Sequence, residues 1–290
     1  MTKGRGRGRA VAISGAGTGI GQVAALRFAS AGWSVAIGGR RVERLEETKS
    51  LLENQGAQCI AHQLDVSEGE SVETFFSAVE AEVGTISAVI NNAATARYGP
   101  LQTFSHDEIA LEVSTKLTGS LMMAARGIRG MQAADVGGDV VFITSAAAVW
   151  PWPEHLPYAA ANAGAEHAAR ILRLELEGSG IRVGTLRVGE TLGTEFGNRG
   201  IEMGVMPHDL WFRRGLLRHA GLMNPDNVAD AIIAMVSLPP EYQYDVISVS
   251  PTAPTGPQPA TFEEWQHVMI QAFTPRTSSP GLTSPGADDS

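Results

Sequence analysis

Short apolar runs alternate with longer amphipathic ones along almost the whole of this 290-residue chain, and that alternation constrains its fold more than any other feature. RAVAIS reads as a strand, and GIGQVAALRFASAG, closed by glycine, as a helix. SVAIGG with VERLEETKSLLENQG repeats the pair, and AQCIAHQLD with EGESVETFFSAVEAEVG repeats it again. ISAVINNA predicts a fourth strand, followed by a long helix over about residues 105–131. Then come a strand at GDVVFITSAAA, a helix at PYAAANAGAEHAARILRLELEGSG and a strand at IRVGTLRV. A loop-rich stretch, residues 189–223, precedes a helix at PDNVADAIIAMVSL and a last strand at YDVISVS; TFEEWQHVMIQAF fits one more amphipathic helix. Strict alternation of this kind implies an α/β fold with a parallel sheet and helices on both faces.

With 43% hydrophobic residues, the chain can bury the core of one large domain, read here as residues 9–273, and not of two. Residues 1–8, where arginines alternate with small residues, read as a basic flexible leader or as an anion-binding arm. Residues 274–290, rich in Pro, Ser and Gly, read as a flexible tail. The net charge of −9 argues against a nucleic-acid partner. The one cysteine, Cys59, cannot form an internal disulfide, which fits a reducing compartment. No apolar run has the length of a membrane span, and the glycine-broken start is no signal peptide, so a soluble cytoplasmic protein is expected. No metal site is read from the sequence.

After the first strand stands SGAGTGIG, which places Gly15, Gly19 and Gly21 in a G-x-x-x-G-x-G pattern, with Thr18 and Ile20 between them. Glycines at a strand-to-helix turn let a pyrophosphate approach the backbone, and the helix N-terminus offers free N–H groups and a partial positive charge. Alone the cluster is a weak signal, since it also suits a plain tight turn; strand before and helix after strengthen it.

Further along come LDV at 64–66, NNAA at 91–94, TSAAA at 144–148 and YAAAN at 158–162. In this order and spacing the motifs resemble the short-chain dehydrogenase/reductase family, over about residues 9–250. The resemblance implies one doubly wound Rossmann-type domain with a seven-stranded parallel sheet, and a nicotinamide cofactor across the C-terminal edge of that sheet. At the end of the second strand Gly39 stands where NAD-preferring relatives carry an acidic residue, and Arg40 and Arg41 follow. Guanidinium groups there can pair with a 2′-phosphate, so NADP(H) is expected ahead of NAD(H); the alternative is that both arginines are solvated charges at a helix start. Asp65 and Val66 match the family's adenine-contacting pair, although Asp65 could also cap a helix. Asn92 and Ala93 match the turn on the adenosine side, with Ala94 in place of a usual glycine.

The family reaction moves a hydride between nicotinamide and a carbonyl or alcohol carbon. A tyrosine acts as general acid or base, a lysine ammonium favours its phenolate, and a serine holds the substrate oxygen. Tyr158 and Ser145 match the tyrosine and the serine. Asn162 stands where the lysine should be, four residues after the tyrosine and on the same helix face. In STKLTGS, Lys116 stands where the family has an asparagine. The two residue types therefore look exchanged, which suggests that Lys116 reaches in from the neighbouring helix to supply the ammonium. The alternative is a surface lysine beside an inactive site.

VWPWPEHLPY, between Ser145 and Tyr158, brings Trp150, Trp152 and His155 to the expected substrate wall; the tryptophans could instead pack the loop down, and His155 could be structural or solvent-exposed. Gly189 follows Val188 where the family has Pro-Gly, and Thr191 or Thr194 is placed near the nicotinamide amide. Residues 189–223, with Met203, Met206, Trp211 and Phe212, resemble a substrate lid and suggest a largely apolar small-molecule substrate. Relatives form dimers or tetramers through the helices starting near Ser105 and Pro157, so a homodimer or homotetramer is expected. Three readings follow from the resemblance: an NADP(H)-dependent oxidoreductase acting on a ketone or secondary alcohol, a redox-neutral enzyme on the same fold, or a non-catalytic NADP(H)-binding protein.

Overall fold

The computed structural model of the protein describes residues 9–191, 194 and 207–273. Its strands are β1 (Ala10–Ser14), β2 (Ser34–Gly39), β3 (Cys59–Gln63), β4 (Ala88–Asn91), β5 (Gly138–Ser145), β6 (Ile181–Val188) and β7 (Val246–Val249). They form one seven-stranded sheet in the order β3-β2-β1-β4-β5-β6-β7, with every neighbouring pair parallel. The strand order reverses between β1 and β4, and a crevice opens there at the C-terminal edge of the sheet. The helices are α1 (Gly19–Ser30), α2 (Val42–Asn54), α3 (Gly69–Val83), α4 (His106–Val113), α5 (Gly119–Ala133), α6 (Leu156–Glu175), α7 (His208–Arg213), α8 (Pro225–Val236) and α9 (Phe262–Phe273).

Alternate residues of each strand feed opposite faces, because successive side chains of a pleated strand point apart. Val11 and Ile13 of β1, with Val141 and Ile143 of β5, join a core with Phe28 of α1, Leu52 of α2 and Ile232 of α8. Ala10 and Ala12, with Val140 and Phe142, join the other core, built on Phe75 and Phe76 of α3, Met123 of α5 and Ala165 of α6. Both faces of the sheet are thus covered, which is why its strands read as nearly continuous apolar runs. A third, smaller cluster of Tyr98, Trp211, Leu217, Ala220 and Trp265 lies apart from both faces. Among the described residues no helix is long and apolar enough to cross a membrane.

Two sequence expectations gain detail. The long helix over residues 105–131 is not uniform, because Ser114–Thr118 is a π-helical turn between α4 and α5. A π turn fits an extra residue into the helix and re-aims the side chains it carries; such turns recur at functional sites. The loop-rich stretch of residues 189–223 contains α7, whose Trp211 is buried. Residues 192, 193 and 195–206 of that stretch, including Met203 and Met206, lie outside the described residues, as do the leader 1–8 and the tail 274–290.

Candidate active site

One cavity of about 1160 Å³ runs along the C-terminal edge of the sheet and collects most of the residues singled out from the sequence. At one end it is lined by Gly15, Thr18, Gly19 and Ile20. Gly15 has a φ of +67°, and a Cβ there would lie 2.9 Å from the Ala93 Cα, so only glycine fits the turn. Gly21 does not line the cavity, and its need for glycine is internal: a Cβ there would lie 2.3 Å from the Gly15 carbonyl oxygen. Thr18 precedes α1 but makes no side-chain cap, so the first N–H groups of the helix keep their partial positive charge for a ligand. Asn92 braces this turn by donating from Nδ2 to the carbonyls of Ser14 (3.0 Å) and Gly15 (3.1 Å). Its own N–H and that of Ala93 donate to the Ser14 hydroxyl, both at 3.1 Å.

Beyond the end of β2, Gly39, Arg40 and Arg41 line the same cavity, joined by Arg44, which the sequence reading passed over. All three arginines are exposed, and the Arg44 guanidinium pairs with Glu47 at 2.8 Å. Asp65, Val66, Ala93 and Ala94 line the cavity too. Asp65 does not cap α3; its carboxylate accepts from the Ser67 N–H (3.0 Å) and hydroxyl (2.6 Å), which fixes the turn before that helix.

At the far end the cavity is lined by Ser145, Tyr158 and Lys116. Burial raises the Tyr158 phenol above its ordinary value, while the side chains of Ser145 and Asn162 act against that rise. The Ser145 hydroxyl also accepts from the Ala147 N–H (3.1 Å), which orients it at the end of β5. Lys116 is no surface lysine: it is 2% exposed, and its amine donates to the Ile143 carbonyl, two residues before Ser145. Burial alone lowers it from 10.5 to about 7. Asn162 is fully buried and does not line the cavity; its Nδ2 donates to the Tyr158 carbonyl (2.8 Å), and its Oδ1 has no hydrogen-bond partner. Asn162 thus lies beside Tyr158, on the same helix face as its spacing implies.

The loop before α6 turns sharply at Glu154, whose φ of 63° lies in the left-handed region. That turn brings Trp150, Trp152 and His155 to the cavity together with Trp211 of α7. His155 is buried and stacks on Tyr158, with ring centroids 4.3 Å apart and planes 5° from parallel. Burial lowers it to about 3, so the ring is neutral near pH 7. Trp152 meets Trp211 edge-on at 4.9 Å, and the Trp211 indole donates to the Pro153 carbonyl at 2.8 Å. Thr191 and Thr194 also reach the cavity, and the Thr191 hydroxyl donates to the Gly189 carbonyl at 3.0 Å.

The family model for short chain dehydrogenases matches residues 9–202, more than half of the chain. The chain belongs to that family. A sulfoacetaldehyde reductase of Chromohalobacter salexigens is 30% identical over 237 residues, 80% of this chain and 89% of that protein. A short chain dehydrogenase of Pseudocercospora fijiensis is 32% identical over 163 residues, but the match spans 56% of this chain and only 53% of that relative. Among solved structures, the closed form of a serine dehydrogenase complexed with NADP+ superposes with a TM-score of 0.74 at 26% identity, covering 87% of this chain and 99% of that one.

Within this short-chain dehydrogenase, three groups besides Arg44 escaped the sequence reading. Tyr98 lines the cavity, packs on His155 at 4.6 Å, and is raised above its ordinary value by burial. Glu112 of α4 is 2% exposed, and its carboxyl accepts from the Arg97 N–H. Burial pushes it up to about 7, while the backbone N–H groups of Arg97 and Tyr158 act the other way. Glu190 lines the cavity just beyond β6, and burial pushes it up to about 7 as well. The signal for Glu190 was a charged residue directly after Gly189; the threonines beside it drew attention instead.

Proposed function

We propose that this protein is an NADP(H)-dependent oxidoreductase that transfers a hydride between the nicotinamide and the carbon of a ketone or secondary alcohol. The observation that carries the reading is the sharing of one cavity. The glycine turn and uncapped start of α1, the Arg40, Arg41 and Arg44 group, and Ser145 with Tyr158 all line it. The donors suit the cofactor: N–H groups of α1 for the pyrophosphate, and guanidinium groups for a 2′-phosphate where Gly39 carries no carboxylate to repel it. The serine dehydrogenase complexed with NADP+ supports the same choice. When bound, NADP(H) supplies or accepts the hydride.

Tyr158 moves the proton at the substrate oxygen as general acid or base, and Ser145 holds that oxygen by hydrogen bond. Lys116 takes the place of the family's lysine, with its amine anchored on the Ile143 carbonyl in the wall of the same cavity, and supplies the ammonium below about pH 7, where it is protonated. The same reading includes a small, largely apolar substrate against the Trp152 and Trp211 rings, a homodimer or homotetramer, and a cytoplasmic protein.

The test is NADPH oxidation followed by absorbance against a panel of ketones. Tyr158→Phe lowers turnover by about 10²–10⁴-fold, the usual range for a positioned acid or base, while NADPH binding by fluorescence titration persists. A second reading, redox-neutral chemistry or NADP(H) binding without turnover, draws on Asn162, which carries no charge and bonds to its own helix. It takes over if NADPH binds and no ketone is reduced.

A further inference from the structure

Glu190 is a charged group in the cavity that the proposed reaction leaves without a task. It directly follows Gly189 at the end of β6 and faces the same space as Ser145 and Tyr158. Its carboxylate lies near enough to Tyr98 to help raise that phenol. Among the described residues, no hydrogen bond or ion pair engages its side chain. The cations of the cavity are committed elsewhere or solvated. Arg97 pairs with Glu108 at 3.1 Å, the Lys116 amine donates to the Ile143 carbonyl, and Arg218 is exposed on the segment after α7.

The wall of the same cavity carries several aromatic rings. Tyr98 and Trp211 meet edge-on at 5.8 Å, Trp152 and Trp211 at 4.9 Å, and Tyr98 packs on His155 at 4.6 Å. His155 and His208 line the cavity as well, and burial lowers both, to about 3 and about 4, so neither repels a cation near pH 7. A carboxylate removed from water without a partner is costly, and Glu190 is pushed up to about 7 for that reason. A ligand cation would restore the charged form, and aromatic faces attract cations in their own right.

We propose that Glu190 is a specificity-determining residue that selects substrates bearing a positively charged amine or ammonium group, seated against the Tyr98, Trp152 and Trp211 rings. The proposal rests on the oxidoreductase reading for the reacting end of the substrate only; the charged end is tested by binding, without turnover.

The experiment is isothermal titration of the full chain, saturated with NADP+ at pH 7.5, using phenethylammonium and 2-phenylethanol, a closely matched charged and neutral pair. The expected result is that phenethylammonium binds at least tenfold more tightly, and that Glu190→Gln, checked for folding by circular dichroism, brings the two to parity. Equal affinities in the unaltered protein, no measurable binding of phenethylammonium, or a preference that survives in Glu190→Gln each overturn the proposal. If Glu190→Gln does not fold, Glu190→Asp replaces it, and the preference is expected to weaken as the carboxylate draws back. Loss of ketone turnover with the cation preference intact would sink the oxidoreductase reading and leave this one standing.

Discussion

Replacing Lys116 by methionine gives a sharp test of the site, because the structure fixes both the sign and the size of the effect. The Lys116 amine is 2% exposed and donates to the Ile143 carbonyl, and burial alone carries it from 10.5 to about 7. In the unfolded chain the lysine keeps its ordinary value. Below about pH 7 it is protonated in both states, and folding bears the full cost of a buried ammonium. Between about pH 7 and 10.5 the unfolded chain binds the proton and the folded chain does not, so stability rises with pH across that window. Each pH unit in the steep part is worth about 1.4 kcal/mol. From pH 7 to 9 the protein should therefore gain about 2 kcal/mol relative to Lys116→Met, which has no such proton to release. The assay is urea unfolding of both cofactor-free proteins at several pH values, compared as a difference so that titrating groups common to both cancel. A stability difference that stays constant from pH 7 to 9 would refute the reasoning, since it would mean that the amine keeps its charge as in water.

Arg40→Ala with Arg41→Ala should weaken NADPH binding by roughly 10–100-fold, the worth of one or two charge-assisted hydrogen bonds, and leave NADH binding nearly unchanged; fluorescence titration of both cofactors checks it. Gly21→Ala places a Cβ 2.3 Å from the Gly15 carbonyl and 2.6 Å from the Asn92 amide nitrogen. The turn must shift, at about 1–3 kcal/mol, with a lower melting temperature and weaker NADPH binding together. Away from the site, Asp139 of β5 and Arg182 of β6 form an ion pair at 2.6 Å with side chains 8% and 11% exposed. Asp139→Ala leaves the guanidinium with only the carbonyls of Leu238, Pro239 and Tyr242 and no counter-charge, and should cost about 3 kcal/mol in urea unfolding, with ketone turnover per folded molecule unchanged.

The elements of the fold were legible because each is set by its own neighbours in sequence. SVAIGG and IRVGTLRV coincide with β2 and β6 to the residue, and glycine or a change of period marks the ends of most helices. The π turn at Ser114–Thr118 was not legible, since one extra residue in a turn leaves the apolar pattern of a helix almost unchanged. The glycine turn and the arginines after β2 could be placed from the motif, because backbone approach and charge are properties of the residues themselves.

Burial of charge is another matter. Glu112 and Glu190 look in sequence like ordinary solvated residues, while Lys116 fits either a surface lysine or one reaching into the site. Whether Lys116 loses its water depends on β5, which begins 22 residues further on, and Glu112 is closed in by Arg97 and by the start of α6. The sequence by itself determined the order of strands and helices, the glycine turn and the positions of Ser145 and Tyr158, through local backbone preference and fixed spacing. Only the tertiary structure decided which polar groups lie out of water and which partners they meet there, because desolvation is set by every element packed around a group, however distant in the chain.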